Sequence, residues 1–217
     1  MAPSYQPAAA PAVVQRVYNW TGIYFGLNGG YTFGQSTPMS LFSSDYTAFN
    51  FNANGGFVGL TAGAQVQSGH TVIGIESTID WADLTGSSRG PIFLNGNNIG
   101  TATLSANVNS ISTLQTRIGY AADNWLIYGT GGLAITNEKS TLTGATFICG
   151  APNAFGSNPP CTSISSFHIG LAAGGGVEYG VAENLSVKAE YTWVGAGAIN
   201  TLKENMVRVG ANWRFGM

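Results

Sequence analysis

Residues Phe167 to Val194, FHIGLAAGGGVEYGVAENLSVKAEYTWV, constrain the fold more than any other stretch. Phe167, Ile169, Leu171, Ala173, Gly175, Val177, Tyr179 and Val181 form one row, apolar but for the glycine. His168, Gly170, Ala172, Gly174, Gly176, Glu178 and Gly180 form a row that is small or polar. Successive side chains of a strand point to opposite faces, so this is a long strand between two different environments. After Ala182-Glu183-Asn184 the alternation restarts, with Leu185, Val187, Ala189, Tyr191 and Trp193 against Ser186, Lys188, Glu190 and Thr192. Two long strands joined by a tight turn make an antiparallel hairpin.

The same pattern recurs along the chain. Strands are expected over about Trp20–Gly34, Gly56–Gln67, Thr71–Asp83, Leu104–Tyr120, Trp125–Asn137 and Glu204–Phe215, besides the two above. In Leu104–Tyr120 only the half nearer Tyr120 is clearly patterned. In Trp125–Asn137 the expected apolar face holds Trp125, Ile127, Leu133 and Ile135. The connections alternate between long and short. Gln35–Gly55, Leu84–Thr103, Glu138–Ser165 and Gly195–Lys203 read as loops, whereas the turns at Ser68-Gly69-His70, Ala121–Asn124 and Ala182–Asn184 are tight. This asymmetry, with eight strands, is that of an all-β transmembrane antiparallel up-and-down barrel with short periplasmic turns and long extracellular loops.

Composition separates this barrel from a soluble one. Only 8% of the 217 residues are charged, against about 25% in ordinary soluble chains. A soluble barrel would turn a charged face to water, but here the non-apolar row is Gly, Ser, Thr and Asn. The glycines suit the narrow interior of a small barrel. No run of about 18 apolar residues offers a membrane helix, and a net charge of −2 gives no reason to expect a nucleic-acid partner. Trp20, Trp81, Tyr120, Trp125, Tyr179, Trp193, Trp213 and Phe215 gather near strand ends, where interfacial girdles form. No basic start followed by an apolar core opens the chain. A mature form is therefore expected, with residues 1–18 a flexible Pro/Ala-rich periplasmic segment and residues 19–217 the barrel.

Four stretches carry a resemblance: YNWTGIYFGLNGGY from Tyr18, RIGYAADNWLIYGTGGLA from Arg117, GGGVEYGVAENLSVKAEYTW from Gly174 and VRVGANWRF from Val207. They resemble a family of small alphaproteobacterial outer-membrane proteins that includes surface antigens and haemin-binding proteins. Its barrel is similar to that of outer-membrane protein A. The resemblance covers most of the barrel and none of the long loops. It implies an outer-membrane location with both termini periplasmic, but no particular activity. The family's terminal aromatic, read by the barrel assembly machinery, is here followed by Gly216 and Met217.

The inward row carries Glu76, Arg117, Glu178, Lys188, Glu190, Arg208 and Arg214, most of them in the periplasmic half when counted from the turns. Single charges in a narrow lumen are costly, so these should pair as a structural plug; a gate or selectivity ring is the other reading. Cys149 and Cys161 share one extracellular loop and are expected to form a disulfide after export to an oxidising compartment. His168, inward near the outer mouth, is a candidate haem contact; haemin is the cofactor to consider, and no metal site is expected. No Ser/His pair in a convincing context points to an enzyme. Three functional readings remain: a non-enzymatic barrel with a structural and surface role, a surface protein binding haemin or a host molecule through its loops, and a narrow porin-like channel. The bilayer is the expected partner, and the apolar belt leaves self-association open.

Overall fold

The computed structural model describes residues 18–36, 51–94, 97–143, 162–196 and 202–215. Eight strands follow one another as β1 (Gly22–Ser36), β2 (Phe51–Ser68), β3 (Thr71–Leu94), β4 (Asn97–Ala122), β5 (Trp125–Thr143), β6 (Thr162–Ala182), β7 (Leu185–Ala196) and β8 (Leu202–Phe215). Each pairs antiparallel with its sequence neighbour, and β8 returns to β1 from Ile23↔Phe215 to Ser36↔Leu202, which closes the barrel. Closure satisfies every strand edge, the condition for crossing hydrocarbon without unpaired backbone groups.

Facing follows the alternation. Leu27, Val58, Ile127, Leu171 and Val209 point outward and are 62–68% exposed, whereas Tyr24, Thr78, Arg117, Glu178 and Thr192 are buried. On β5 the expected face, Trp125, Ile127, Leu133 and Ile135, lies outside. From Ile23 to Phe33 the outward side of β1 is continuously apolar or glycine. At about 3.3 Å per residue and a tilt of about 40°, that stretch rises roughly 25 Å, the height of a membrane belt.

The tight turns sit at one end, with Gly69 and Asp123 in the left-handed region (φ 59° and 52°) and Glu183-Asn184 completing the set. His70 stacks on Tyr120 with ring centroids 5.2 Å apart, and its Nδ1 lies 2.9 Å from the Ala121 carbonyl oxygen.

Several expectations are corrected. Most of the stretch from Leu84 to Thr103 is a hairpin, not a loop: β3 and β4 stay paired from Leu84↔Val108 out to Leu94↔Asn97. Backbone pairing there needs no apolar side chains, so Ser, Thr, Asn and Gly continue the sheet past the belt. Irregularities between Trp81 and Leu84 and between Val108 and Ser110 mark where the strands leave it. Trp20, assigned above to the interfacial girdle, is fully buried, and Tyr18 beside it is 6% exposed. Alternation governs only residues within a strand; these two precede β1 and turn in under the barrel. The inner row is also less polar than its glycines and hydroxyls suggest. Phe57, Leu84, Val108, Ile111, Ala134, Ala172, Val194 and Met206 form a buried cluster toward the loop end.

Candidate functional site

Among the described residues, the lumen is where charge is concentrated away from water. Every strand contributes one residue of its inner row at the level of Tyr24, Thr61, Glu76, Arg117, Tyr128, Glu178, Lys188 and Arg208. Two of these side chains need room that only glycine leaves. A Cβ on Gly63 would stand 2.4 Å from the Tyr24 ring, and one on Gly176 would stand 2.7 Å from the Tyr128 hydroxyl.

The charges join into a single line of alternating sign. Arg214 lies 3.6 Å from Glu178, and Glu178 contacts Arg117. Arg117 is 3.4 Å from Glu76, which receives Lys188 at 2.6 Å. Lys188 is 3.9 Å from Glu190, and Glu190 is 3.6 Å from Arg208. Arg208 ends the line on Asp80 at 2.7 Å. All eight side chains are fully buried in their pairs. They carry four positive and four negative charges, so the line is neutral overall.

Neutral groups add hydrogen bonds to Glu76, Glu178 and Glu190. Tyr24 donates to Glu76 Oε2 at 2.8 Å, and Tyr128 donates to Glu190 Oε2 at 2.9 Å. Asn212 donates to Glu178 Oε1 at 3.0 Å, and Thr192 donates to Glu190 Oε1 at 3.0 Å. The Arg117 guanidinium also lies 3.5 Å above the centre of the Tyr128 ring. In a site without bulk water each such bond is electrostatically strong, and each unpaired group is correspondingly costly.

Both ends of the line run into apolar side chains. At the turn end Tyr18, Trp20, Val72, Ala121, Leu126 and Tyr128 pack together. Residues 18–21 are tied into this mouth. The Tyr18 amide donates to Asn124 Oδ1 at 3.1 Å and the Trp20 amide to Gln67 Oε1 at 2.9 Å. Arg214 reaches the Trp20 carbonyl and, at 3.3 Å, the Tyr18 hydroxyl. Gly180 makes the fit possible, since a Cβ there would stand 2.2 Å from the Tyr18 ring. At the other end lies the cluster that includes Phe57, Leu84, Ile111 and Met206.

The structure thus gathers Glu76, Arg117, Glu178, Lys188, Glu190, Arg208 and Arg214 into one network and adds Asp80. Asp80 was legible, because it continues the row of Glu76 and Thr78 on β3. Tyr24 and Tyr128 were legible only as inward residues; their bonds to carboxylates of other strands depend on barrel closure. Glu204 is also buried inward, on β8. His168 stands apart. It is half-buried opposite Thr136, on the loop side of Ala134 and Ala172. Cys149 and Cys161 lie outside the described residues. No group of three metal-ligating side chains occurs among the described residues.

Comparison with known proteins finds outer-membrane proteins. The chain is 31% identical over 241 residues to the 31 kDa outer-membrane immunogenic protein of Brucella melitensis, across 97% of this chain and 90% of that protein. It is 25% identical to the 22 kDa outer membrane protein of Rhizobium leguminosarum bv. viciae, across 95% of this chain and 83% of that one. Among solved structures, the outer membrane protein OprG from Pseudomonas aeruginosa superposes with a TM-score of 0.49 at 11% identity, covering 93% of this chain and 99% of that one. A family model described as the outer membrane protein beta-barrel domain matches residues 6–215, and the chain belongs to that family.

Proposed function

We propose that this outer-membrane barrel is a non-enzymatic structural and surface-displayed protein whose lumen is closed at rest. The observation that supports this reading is the eight-residue charge line held between two apolar clusters. A conducting pore needs a continuous path of water or polar groups from mouth to mouth. Here a permeating ion would have to displace Trp20 and Tyr18 at one mouth, split buried ion pairs along the middle, and pass Phe57, Leu84 and Met206 at the other. The Brucella relatives are named immunogenic proteins, which favours display at the cell surface.

In the proposed orientation the tight turns and both ends of the barrel, Gly22 and Phe215, face the periplasm, and the extended β3–β4 hairpin faces outward. Purified protein in a planar bilayer tests the closed lumen: only small, intermittent openings are expected, and a steady, large conductance overturns it. Surface labelling of intact cells through a cysteine placed at Ser87 tests the orientation independently. Labelling of Ser87→Cys without permeabilisation is expected; labelling only after permeabilisation reverses the assignment.

A further inference from the structure

Just beyond the apolar belt, the outward face of β3, β4 and β5 changes character. Trp81 and Ile135 are exposed on the outer faces of β3 and β5, and the next outward residues, Asp83 and Thr85 on β3 and Asn137 and Lys139 on β5, are polar. Four residues further on each strand lie Thr85 and Lys139, paired through Asn107 in one row. The next outward row is Ser87, Ser105 and Thr141. These six, with Gly86 and Asn109, line a depression of about 590 Å³. Two of the sheet irregularities, between Trp81 and Leu84 and between Val108 and Ser110, fall at its lower edge. Such irregularities bend strands and re-aim side chains, and they recur at barrel rims for that purpose.

The lining has a definite chemistry. It presents hydroxyls, amides and one ammonium, with no large apolar side chain. Lys139 is exposed and has no ion-pair partner among the described residues. Arg89 adds a second exposed cation two positions beyond Ser87, while Asp83, exposed two positions before Thr85, bounds the site on the membrane side. Hydroxyl and amide groups match a polyhydroxylated ligand, and a lone cation among them matches an anionic substituent on it.

Height narrows the ligand further. Four residues at about 3.3 Å, tilted by about 40°, raise Lys139 roughly 10 Å above Ile135. The headgroup layer of a plain bilayer adds only about 5–7 Å beyond the hydrocarbon on each side. A simple phospholipid headgroup therefore falls short of the second row, whereas a sugar standing on a lipid reaches both. Two strand spacings by one row spacing give a footprint of roughly 10 Å by 7 Å, the size of one or two sugar rings.

We propose that this depression binds the phosphorylated saccharide headgroup of an outer-leaflet glycolipid, with Lys139 on the phosphate and the Thr, Ser and Asn side chains on sugar hydroxyls. The site would hold a specific annular lipid against the β3–β5 wall and fix the protruding hairpin relative to the membrane surface. The proposal takes the hairpin end to face the sugar-bearing leaflet, as in the orientation above.

The test uses the full chain in phosphatidylcholine nanodiscs doped with lipopolysaccharide on both faces, so its result is independent of orientation in the cell. Bound glycolipid per barrel is counted by native mass spectrometry. Parallel discs contain the dephosphorylated glycolipid or phosphatidylglycerol, and a further arm adds the soluble phosphorylated oligosaccharide freed of its acyl chains. One retained glycolipid is expected, with at least tenfold weaker retention in Lys139→Gln. Lys139→Arg should retain it, as should Lys203→Gln, which removes an exposed cation on β8. Each variant is first shown to be folded by circular dichroism. Equal retention by wild type and Lys139→Gln, equal losses in Lys139→Gln and Lys203→Gln, or equal retention of phosphatidylglycerol each overturns the site. Tight binding of the soluble saccharide without the lipid-anchored form overturns the membrane source.

Discussion

Glu76 is the junction of the lumen, and its removal should be costly in a way that a second substitution repairs. Its carboxylate receives Lys188 at 2.6 Å, Tyr24 at 2.8 Å and Arg117 at 3.4 Å. Glu76→Gln keeps the shape and an acceptor for Tyr24 but removes the charge. Arg117 then still has Glu178, whereas Lys188 is left with Glu190 at 3.9 Å alone. Stranding one member of a buried pair costs about 3–5 kcal/mol, and the retained amide places this variant near the lower end. Lys188→Met should cost less, about 1–3 kcal/mol, because Glu76 keeps Arg117 and Tyr24 while Glu190 keeps Arg208 and Tyr128. Together the two substitutions remove one charge of each sign and leave no ammonium stranded. The double variant should therefore be more stable than additivity allows, by about 2–3 kcal/mol. Equilibrium unfolding in urea from lipid vesicles, followed by tryptophan fluorescence, measures all four corners of the cycle. A coupling below about 0.5 kcal/mol would show that the pair is incidental and that the line is not a cooperative unit.

Trp20→Ala should open the turn-end mouth, costing about 3–5 kcal/mol as other large-to-small core changes do; bilayer recordings should show more frequent openings, and an unchanged trace would sink the mouth assignment. Leu171→Arg or Val209→Arg places a charge in lipid, at positions 62% exposed on the outer wall, and should cost roughly 2–4 kcal/mol near the midplane. Thr192→Ser should cost far less in the same refolding assay, and equal tolerance would reverse inside and outside. Cys149 and Cys161 are proposed to be joined. Intact mass without reductant should be two hydrogens below the reduced value, and two alkylatable thiols in protein taken from an outer membrane would refute the bond.

The sequence alone determined the number of strands, the three tight turns and the facing of the wall. Each of these is local: a strand has period two, so a lipid side and a lumen side print directly onto neighbouring residues such as Leu171 and Ala172 or Val209 and Arg208. It also placed seven charges on the inner row for the same reason. Which charge meets which was decided by closure. Lys188 on β7 reaches Glu76 on β3 from 112 residues away and across the lumen, a pairing set by strand tilt and register around the whole barrel. The inward turn of Tyr18 and Trp20 was equally invisible, because residues outside a strand have no fixed alternation, and an aromatic near a strand end reads the same whether it meets lipid or a mouth. The length of β3 and β4 was missed where both faces meet water or polar groups. There the backbone ladder continues, but side chains such as Ser87, Asn107 and Thr141 no longer need to differ from one position to the next, and the periodic signal ends before the strand does.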